Sequence, residues 1–544
     1  MKKKILASFI LAFGMAALCH QSLAADNASP VEDTVRQLLD HLVQQGTLSA
    51  EEGETLRKRL DAGVAAAPAT EPEPSPNDVR VPYVPDIVKD EIGRQVREEV
   101  RRDVMKDVLT QAKEERWGLP DVIPAWVARL RLYGDMRVRA EGDFFANGNA
   151  ENVYFDFLKV NKAGGIGNTD NPFLNVNVDR QRLRVRARLG LDVLVNEQLN
   201  TYFRISTGSI SDPVSTNQTL GIYGLIDTNR YTLAWDQAYM RYKLPDNTGY
   251  PWLTLMGGRM ASPWVSTDLV WDGDLNFDGV ATTLKHRFFS RNSTETMPEY
   301  DKSLFWTLGA FPLQEVSLST ADKWLYGTQV GGDYLFDELQ SKFTLALAYY
   351  DYQKIVGERN AVNSNLLDFT APPFLQKGNT LFDIRNDADP NTNLWALASD
   401  YKELNITSIL DLAYFAPSHV WLTLDYVKNL GFDSAKVAAR TGVQVEGRTT
   451  GYQAIISAGW PHITKRGDWR ASIAYKYLQR DAVVDAFTDS DFHMGGTDAK
   501  GYILSGDYGL DEDTWLTVRY LSADAIDGPP LGIDVLQLDV SSRF

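Results

Sequence analysis

From Arg129 to Phe544, apolar and polar residues alternate with a period of two. In the first run one parity reads Leu130, Leu132, Gly134, Met136, Val138 and Ala140, and the other reads Arg131, Tyr133, Asp135, Arg137, Arg139 and Glu141. A later run sets Leu183, Val185, Ala187, Leu189 and Leu191 against Arg182, Arg184, Arg186 and Arg188. Successive side chains of a strand point to opposite faces, so each run predicts a strand with one apolar and one polar face. A soluble sandwich would alternate too, but with a mixed polar face toward bulk water. Rows of Arg opposite Leu and Val fit better a polar face lining a wet lumen and an apolar face meeting lipid.

About sixteen such runs follow one another, from 129–141, 180–195 and 198–209 to 499–510, 513–525 and 532–544. Links such as Asn196-Glu197, Asp337-Glu338-Leu339, Ala416-Pro417 and Asp511-Glu512 alternate with long ones near 142–179, 210–230, 355–402, 431–447 and 482–498. Short turns at one rim and long loops at the other predict an outer-membrane barrel. The 290–300 link exceeds a tight turn, which leaves strands six and seven the least sharply defined pair. Trp264, Trp324, Trp421, Trp460, Trp469 and Trp515 near strand ends predict interfacial girdles. The final strand carries Leu536, Leu538, Val540, Ser542 and Phe544 on one parity, an ending expected to be read by the outer-membrane assembly machinery.

Upstream of Arg129 the period changes to that of helices. Lys2, Lys3 and Lys4, the apolar stretch Ile5–Cys19 and Ser22-Leu23-Ala24 predict a signal peptide over 1–24. That stretch is shorter than the roughly 18 residues a transmembrane helix needs. Cys19, the single cysteine, would leave with the signal, and Leu18 before it argues against an acylation site. Residues 25–63 predict a helical hairpin, with Ser49 and Glu52 forming a capping box. It reads either as a docking module or as a packing element. An Ala/Pro/Glu-rich linker spans 64–84, and a charged amphipathic helix spans 85–117. Its apolar residues, Val88, Ile92, Val96, Val100, Val104, Val108 and Ala112, recur at every fourth position, so their line winds round the helix. That leaves a short coiled-coil bundle or a lone helix at the barrel mouth, on the periplasmic side. The fold class expected is thus an all-β transmembrane β-barrel of about 16 antiparallel strands over 129–544, preceded by a periplasmic helical segment.

The 55 Lys+Arg against 72 Asp+Glu give a net charge of −17, which argues against a nucleic-acid binder. A mean hydropathy of −0.28 suits a soluble protein, yet alternating strands average to the same value.

Leu130–Glu141 (LRLYGDMRVRAE), Asp179–Leu191 (DRQRLRVRARLGL), Arg204–Gly221 (RISTGSISDPVSTNQTLG), Asp236–Tyr242 (DQAYMRY) and Gly257–Ala281, with its WDGDLNFDGVA core, resemble the bacterial "putative porin" family of outer-membrane proteins. The resemblance implies a diffusion channel of Gram-negative outer membranes and supplies no substrate. On this reading the chain passes small hydrophilic solutes, sits in outer-membrane lipid and, by analogy with barrels of this size, forms a homotrimer.

The candidate lumen lining is Arg131, Arg137, Arg139, Arg182, Arg184, Arg186 and Arg188, with Arg204, Arg259 and Arg519 on lumen parity elsewhere. Guanidinium forks suit carboxylate or phosphate solutes; equally, Asp135, Glu141, Asp192 and loop acids could neutralise them into a structural network. The stretch 268–278, with Asp268, Asp272, Asp274, Asp278, Trp271 and Phe277, is the candidate constriction loop. It departs from a calcium loop where Phe277 replaces the required Gly and Thr283 the closing Glu, so no metal or other cofactor is expected. An enzyme reading would rest on His493 in Asp489-Ser490-Asp491-Phe492-His493, but no nucleophile motif accompanies it. A third reading makes the barrel an anchor and the N-terminal helices a periplasmic tether.

Overall fold

The computed structural model describes residues 127–544 apart from 222–229, 248, 290–299, 318 and 337–340. The signal peptide, hairpin, linker and charged helix expected over 1–117 lie outside the described residues.

Period-two patterning becomes a closed sheet. Strand β1 (Leu130–Phe145) pairs antiparallel with β2 (Arg180–Leu194) on one side and with the last strand, β19 (Gly532–Arg543), on the other. Between them come β3 (Leu199–Ser206), β4 (Gln218–Thr219), β5 (Ala234–Pro245), β6 (Pro251–Ala261), β7 (Asn276–Phe289), β8 (Tyr300–Gln314), β9 (Lys323–Leu335) and β10 (Lys342–Gln353). A two-stranded hairpin, β11 (Leu381–Asp383) and β12 (Trp395–Leu397), stands apart, and the barrel resumes with β13 (Lys402–Leu412), β14 (His419–Asn429), β15 (Thr450–Gly459), β16 (Trp469–Leu478), β17 (Ala499–Asp511) and β18 (Thr514–Ala525). The barrel sheet has 17 strands; the two-residue β4 is only an extra rung on β2, so sixteen full antiparallel strands close the wall. The sixth and seventh wall strands, β7 and β8, pair in continuous register from Val280↔Ala310 to Phe288↔Lys302. Among the described residues no helix is long and apolar enough to cross a membrane.

The seam closes on small residues. Gly134 and Phe544 exchange two backbone hydrogen bonds of 3.0 Å, and a Cβ on Gly134 would lie 2.5 Å from the Phe544 ring. Outward positions such as Leu132, Met136, Leu189, Met240, Val280, Leu304, Val330, Leu345, Leu424 and Ile473 are large, apolar and exposed. A belt of this kind round a closed barrel belongs against lipid.

Two strand ends depart from the expectation. β1 runs on to Phe145 because Glu141 and Asp143 continue its inward parity opposite Arg182 and Arg180. β3 stops at Ser206, where the chain leaves the wall and Thr207 accepts the Ala187 N–H through its hydroxyl. The girdle also needs correcting. Trp324 and Trp469 lie on the outward parity, but Trp421 and Trp515 share the inward parity of Asp425 and Arg519, and Trp264 is buried inside the barrel.

The lumen is not an empty tube. Loop 262–275 turns inward and buries Trp264, Leu269, Val270, Trp271 and Leu275 against wall residues including Phe311, Leu325, Tyr350, Val427 and Leu478. Loop 479–498 joins the same core through Ala482, Val483 and Val484. The 354–401 connection adds Ile355 and Leu397, and builds a satellite core where β11 and β12 meet Val437 of helix α1 (Ser434–Thr441).

Candidate functional site

Strand parity carries Asp135, Arg137, Arg139, Glu141 and Asp143 of β1 to the lumen. Beside them β2 contributes Arg180, Arg182, Arg184, Arg186 and Arg188, and β19 contributes Gln537 and Asp539. The register sets Arg137 opposite Arg186 and Arg139 opposite Arg184. Like charges directly opposite repel, so the wall is stable only with acids between them. Asp539 takes Nε and Nη2 of Arg139 at 2.8 and 2.9 Å, a bidentate pair, while Asp491 takes Nη1 at 2.9 Å. Glu141 accepts from Arg182, from Arg184 at 3.3 Å and from Gln537 at 3.0 Å. Asp135 holds Arg186 at 2.9 Å and Arg188 at 2.7 Å. Seven guanidinium groups (Arg137, Arg139, Arg182, Arg184, Arg186, Arg188, Arg519) thus share six carboxylates (Asp135, Glu141, Asp143, Asp274, Asp491, Asp539), a surplus of one positive charge. The Nε atoms of Arg137, Arg182, Arg184 and Arg186 are buried and have no hydrogen-bond partner among the described residues.

Arg204 faces the lumen from β3 and pairs with Asp236 at 2.5 Å, and Arg519 reaches Asp491 at 3.3 Å from β18. Arg131 is exposed at the short-turn rim, in register with Asp192. Arg259 does not face the lumen as its expected parity required. It pairs with Asp278 at 2.8 Å across β6 and β7, on the parity of the exposed Leu255 and Val280, at the edge where both border the cavity described below. Asp278 is consequently a wall residue, not part of a loop.

The other three acids of the candidate loop do enter the barrel. Asp274 faces the arginine wall, 3.6 Å from Arg188 and 3.9 Å from Arg186, and accepts the Thr216 hydroxyl at 2.9 Å. Asp268 meets the ammonium of Lys476 at 3.2 Å, and Asp489 meets it at 2.9 Å. Lys476 is fully buried on β16, so one lysine clamps loops 262–275 and 479–498 to the wall. The sequence reading missed Lys476, though it stands on inward parity in a run otherwise poor in inward charge; Asp491 and Asp539 were missed as the partners of Arg139. Asp272 accepts the backbone N–H groups of Asp274 and Ser490 at 2.8 and 3.0 Å, yet burial and the neighbouring Asp489 push its carboxyl up to about 8. Asp491 goes the other way: Arg139, Arg519 and Arg184 outweigh burial and hold it well below the usual carboxylate range.

Trp264 and Trp271 anchor the inward loop. Trp264 lies edge-on to Tyr350 at 5.3 Å and to Phe311 at 6.1 Å, and Trp271 packs on Tyr350 at 5.1 Å and Phe277 at 5.0 Å. Gly309 and Gly327, opposite each other in β8 and β9, form the socket: Cβ atoms there would lie 3.0 and 2.5 Å from the Trp264 ring.

The acid–base pairing that an enzyme reading would place at His493 is not formed. His493 Nδ1 accepts from Lys377 Nζ at 2.7 Å and Nε2 donates to the Leu531 carbonyl at 3.0 Å, while Asp489 and Asp491 turn to Lys476 and Arg139. Burial and Lys377 hold the imidazole pKa well below its ordinary value, so the ring is neutral.

A family model described as "putative porin" matches residues 32–544. No curated protein matches the chain. Among solved structures, the outer membrane channel DcaP of Acinetobacter baumannii aligns at 12% identity over 76% of this chain and 97% of that one, with a TM-score of 0.37. OprB of Pseudomonas putida gives 12% identity, 76% and 94% coverage and a TM-score of 0.41. A loop-deletion mutant of OmpT, an outer membrane protein of Vibrio cholerae, gives 10%, 76%, 99% and 0.37.

Proposed function

The chain belongs to the putative porin family and is an outer-membrane channel; we propose that it passes small hydrophilic solutes passively and favours anions over cations. The observation that carries the anion preference is the surplus of guanidinium over carboxylate on β1, β2, β18 and β19. The ion pairs do not argue against it. They are what lets Arg137 and Arg186, and Arg139 and Arg184, stand opposite each other, and the side chains of Arg182, Arg186 and Arg188 stay partly exposed to the lumen, where a passing anion can meet them. The field of a charged constriction sets which ion is enriched there. A purely structural network is the second reading, supported by Arg139, whose donors are spent on Asp539 and Asp491.

The described chain enters β1 at the rim of the short turns, which in such barrels faces the periplasm. That supports placing residues 25–117 in the periplasm, where they can tether a partner in addition to the channel. Assembly as a homotrimer and recognition of Phe544 by the assembly machinery complete the proposal. Planar-bilayer recording of the purified protein tests it. A tenfold KCl gradient should give a reversal potential of the sign set by chloride; a potential set by potassium overturns the anion preference, and no conductance in any salt overturns the channel.

A further inference from the structure

A cavity of about 730 Å³ lies at the long-loop end, where β3, β7 and β8 meet β9 and the inward loops. That is within the range of sites that enclose a small organic molecule, roughly 300–1,000 Å³. One side is apolar, formed by Phe311 and Leu313 of β8, Leu325 of β9, and Phe374 and Leu375 of the 354–401 connection. The acids across from it are already engaged: Asp236 with Arg204 and Asn276, Asp274 with Thr216 and Arg188, and Asp278 with Arg259. Asp212 accepts the Val214 N–H at 3.2 Å. Asp485 also lines the cavity, fully buried and with neither carboxylate oxygen hydrogen-bonded among the described residues, and burial pushes its carboxyl up to about 7, which keeps much of it protonated and uncharged near neutral pH.

Lys323 differs from all of these. It opens β9 on the inward parity, is 4% exposed, and its ammonium donates only to the backbone carbonyls of Phe369 and Thr370, at 3.3 and 3.1 Å. Among the described residues no carboxylate forms an ion pair with it. An ammonium has three protons to donate, so one donor on a full positive charge is left at an apolar cavity. A buried charge without a counter-charge is costly, and a ligand carboxylate would remove that cost.

We propose that this cavity binds an amphipathic organic acid, its carboxylate on Lys323 and its apolar body along Phe311, Leu313 and Phe374. The inference rests on the channel reading above and adds to it a vestibule that captures such acids before they meet the arginine wall. A bare inorganic anion gains nothing from the apolar side, and an apolar amine meets Lys323 with the wrong sign.

Binding can be read without conduction, because Trp235 and Trp271 border the cavity. The purified folded barrel is titrated with 4-phenylbutyrate, 4-phenylbutylamine and acetate while tryptophan fluorescence is followed. Saturable binding is expected for phenylbutyrate, at least tenfold weaker binding for acetate and for the amine, and at least tenfold weaker phenylbutyrate binding in Lys323→Gln. Gln keeps a donor for the Phe369 and Thr370 carbonyls while losing the charge, and heat-modifiable electrophoretic mobility reports folding. Should Lys323→Gln fail to fold, Phe374→Ala takes its place, removing apolar wall without touching the lysine, and should weaken phenylbutyrate but not acetate. Equal affinity of the amine, equal affinity of the variant, or no saturable phenylbutyrate binding overturns the site. KCl conductance measured in parallel separates the two claims: conduction without binding overturns the vestibule alone, and binding without conduction overturns the channel alone.

Discussion

Replacing Lys476 by Met removes the one ammonium that joins two inward loops to the barrel wall. Met fills a similar volume, so the perturbation is chiefly electrostatic. It leaves Asp268 and Asp489, previously 3.2 and 2.9 Å from the ammonium, as acids with no cation between them. Removing one partner of a buried ion pair costs about 3–5 kcal/mol, and 1.4 kcal/mol is a factor of ten in an equilibrium constant. The docked arrangement of loops 262–275 and 479–498 should therefore weaken by roughly two to three and a half powers of ten. Other contacts limit the damage. Thr267 still donates to Asp425 through its backbone and hydroxyl at 3.0 and 2.6 Å, Thr488 still donates to the Asp268 carbonyl at 3.1 Å, and the Trp264 and Trp271 core is untouched. The loops should loosen round the vacated charge while the barrel stays closed. Single-channel recordings should show larger, noisier conductance, and limited proteolysis should cut within 479–498 in the variant but not in the parent, with heat-modifiable mobility unchanged. Adding Asp268→Asn and Asp489→Asn to Lys476→Met removes the uncompensated charge and should restore most of the quiet state. The reasoning is refuted if Lys476→Met is as quiet and as protease-resistant as the parent, or if the triple variant is worse than the single one.

The same interior makes further predictions. Asp272 keeps a proton up to about pH 8 in the folded state and loses it near pH 4 when unfolded, so its contribution to loop docking is present at low pH and declines as pH rises across that window; channel noise should grow from pH 6 to 9 and grow less in Asp272→Asn, Asp485 still titrating near 7. Gly327→Val drives side-chain atoms into the Trp264 ring, already 2.5 Å from a Cβ there, and should cost about 1–3 kcal/mol as overpacking, seen as a lower urea midpoint, whereas Gly506→Ala, with open space at its Cβ, should be neutral. Arg186→Gln removes the surplus charge of the network and should bring the reversal potential in a KCl gradient closer to zero; an unchanged potential would show the network to be structural only. Phe544→Ala empties the contact over Gly134 and should lower the folded, membrane-assembled fraction, measured by heat-modifiable mobility of outer-membrane preparations.

The wall was legible because strand parity is a local property. Leu132, Met136 and Val138 on one side of β1, with Asp135, Arg137 and Arg139 on the other, encode both the strand and the face it turns to lipid, whatever the neighbouring strands do. The sixteen runs therefore emerge with ends displaced by only a few residues, and the displacements have local causes, as at Glu141 and Asp143. Arg259 marks the limit of parity within a single strand. Its run reads as alternating, but the placement of Met260 and Phe277 in the interior puts Arg259 and Asp278 on the other face, and only the partner strands reveal this.

The site was half legible for a different reason. A row of arginines on one parity is visible in β2 alone, but whether it is free charge or a neutral network depends on acids far away in sequence: Arg139 and Asp539 are 400 residues apart, and Arg139 and Asp491 are 352 apart. Long-range pairs of this kind leave no periodic trace. The same holds for Trp264, whose position near a strand end is equally compatible with a lipid-facing girdle and with a lumen plug; what decides is the pair Gly309 and Gly327 on strands not adjacent to it in sequence, which clear a socket only on the inner face. The lumen chemistry of this channel is thus set less by the strands that line it than by how loops 262–275, 354–401 and 479–498 divide it, into an arginine wall crossed by acids and an apolar-sided cavity in which Lys323 forms no ion pair with a described carboxylate.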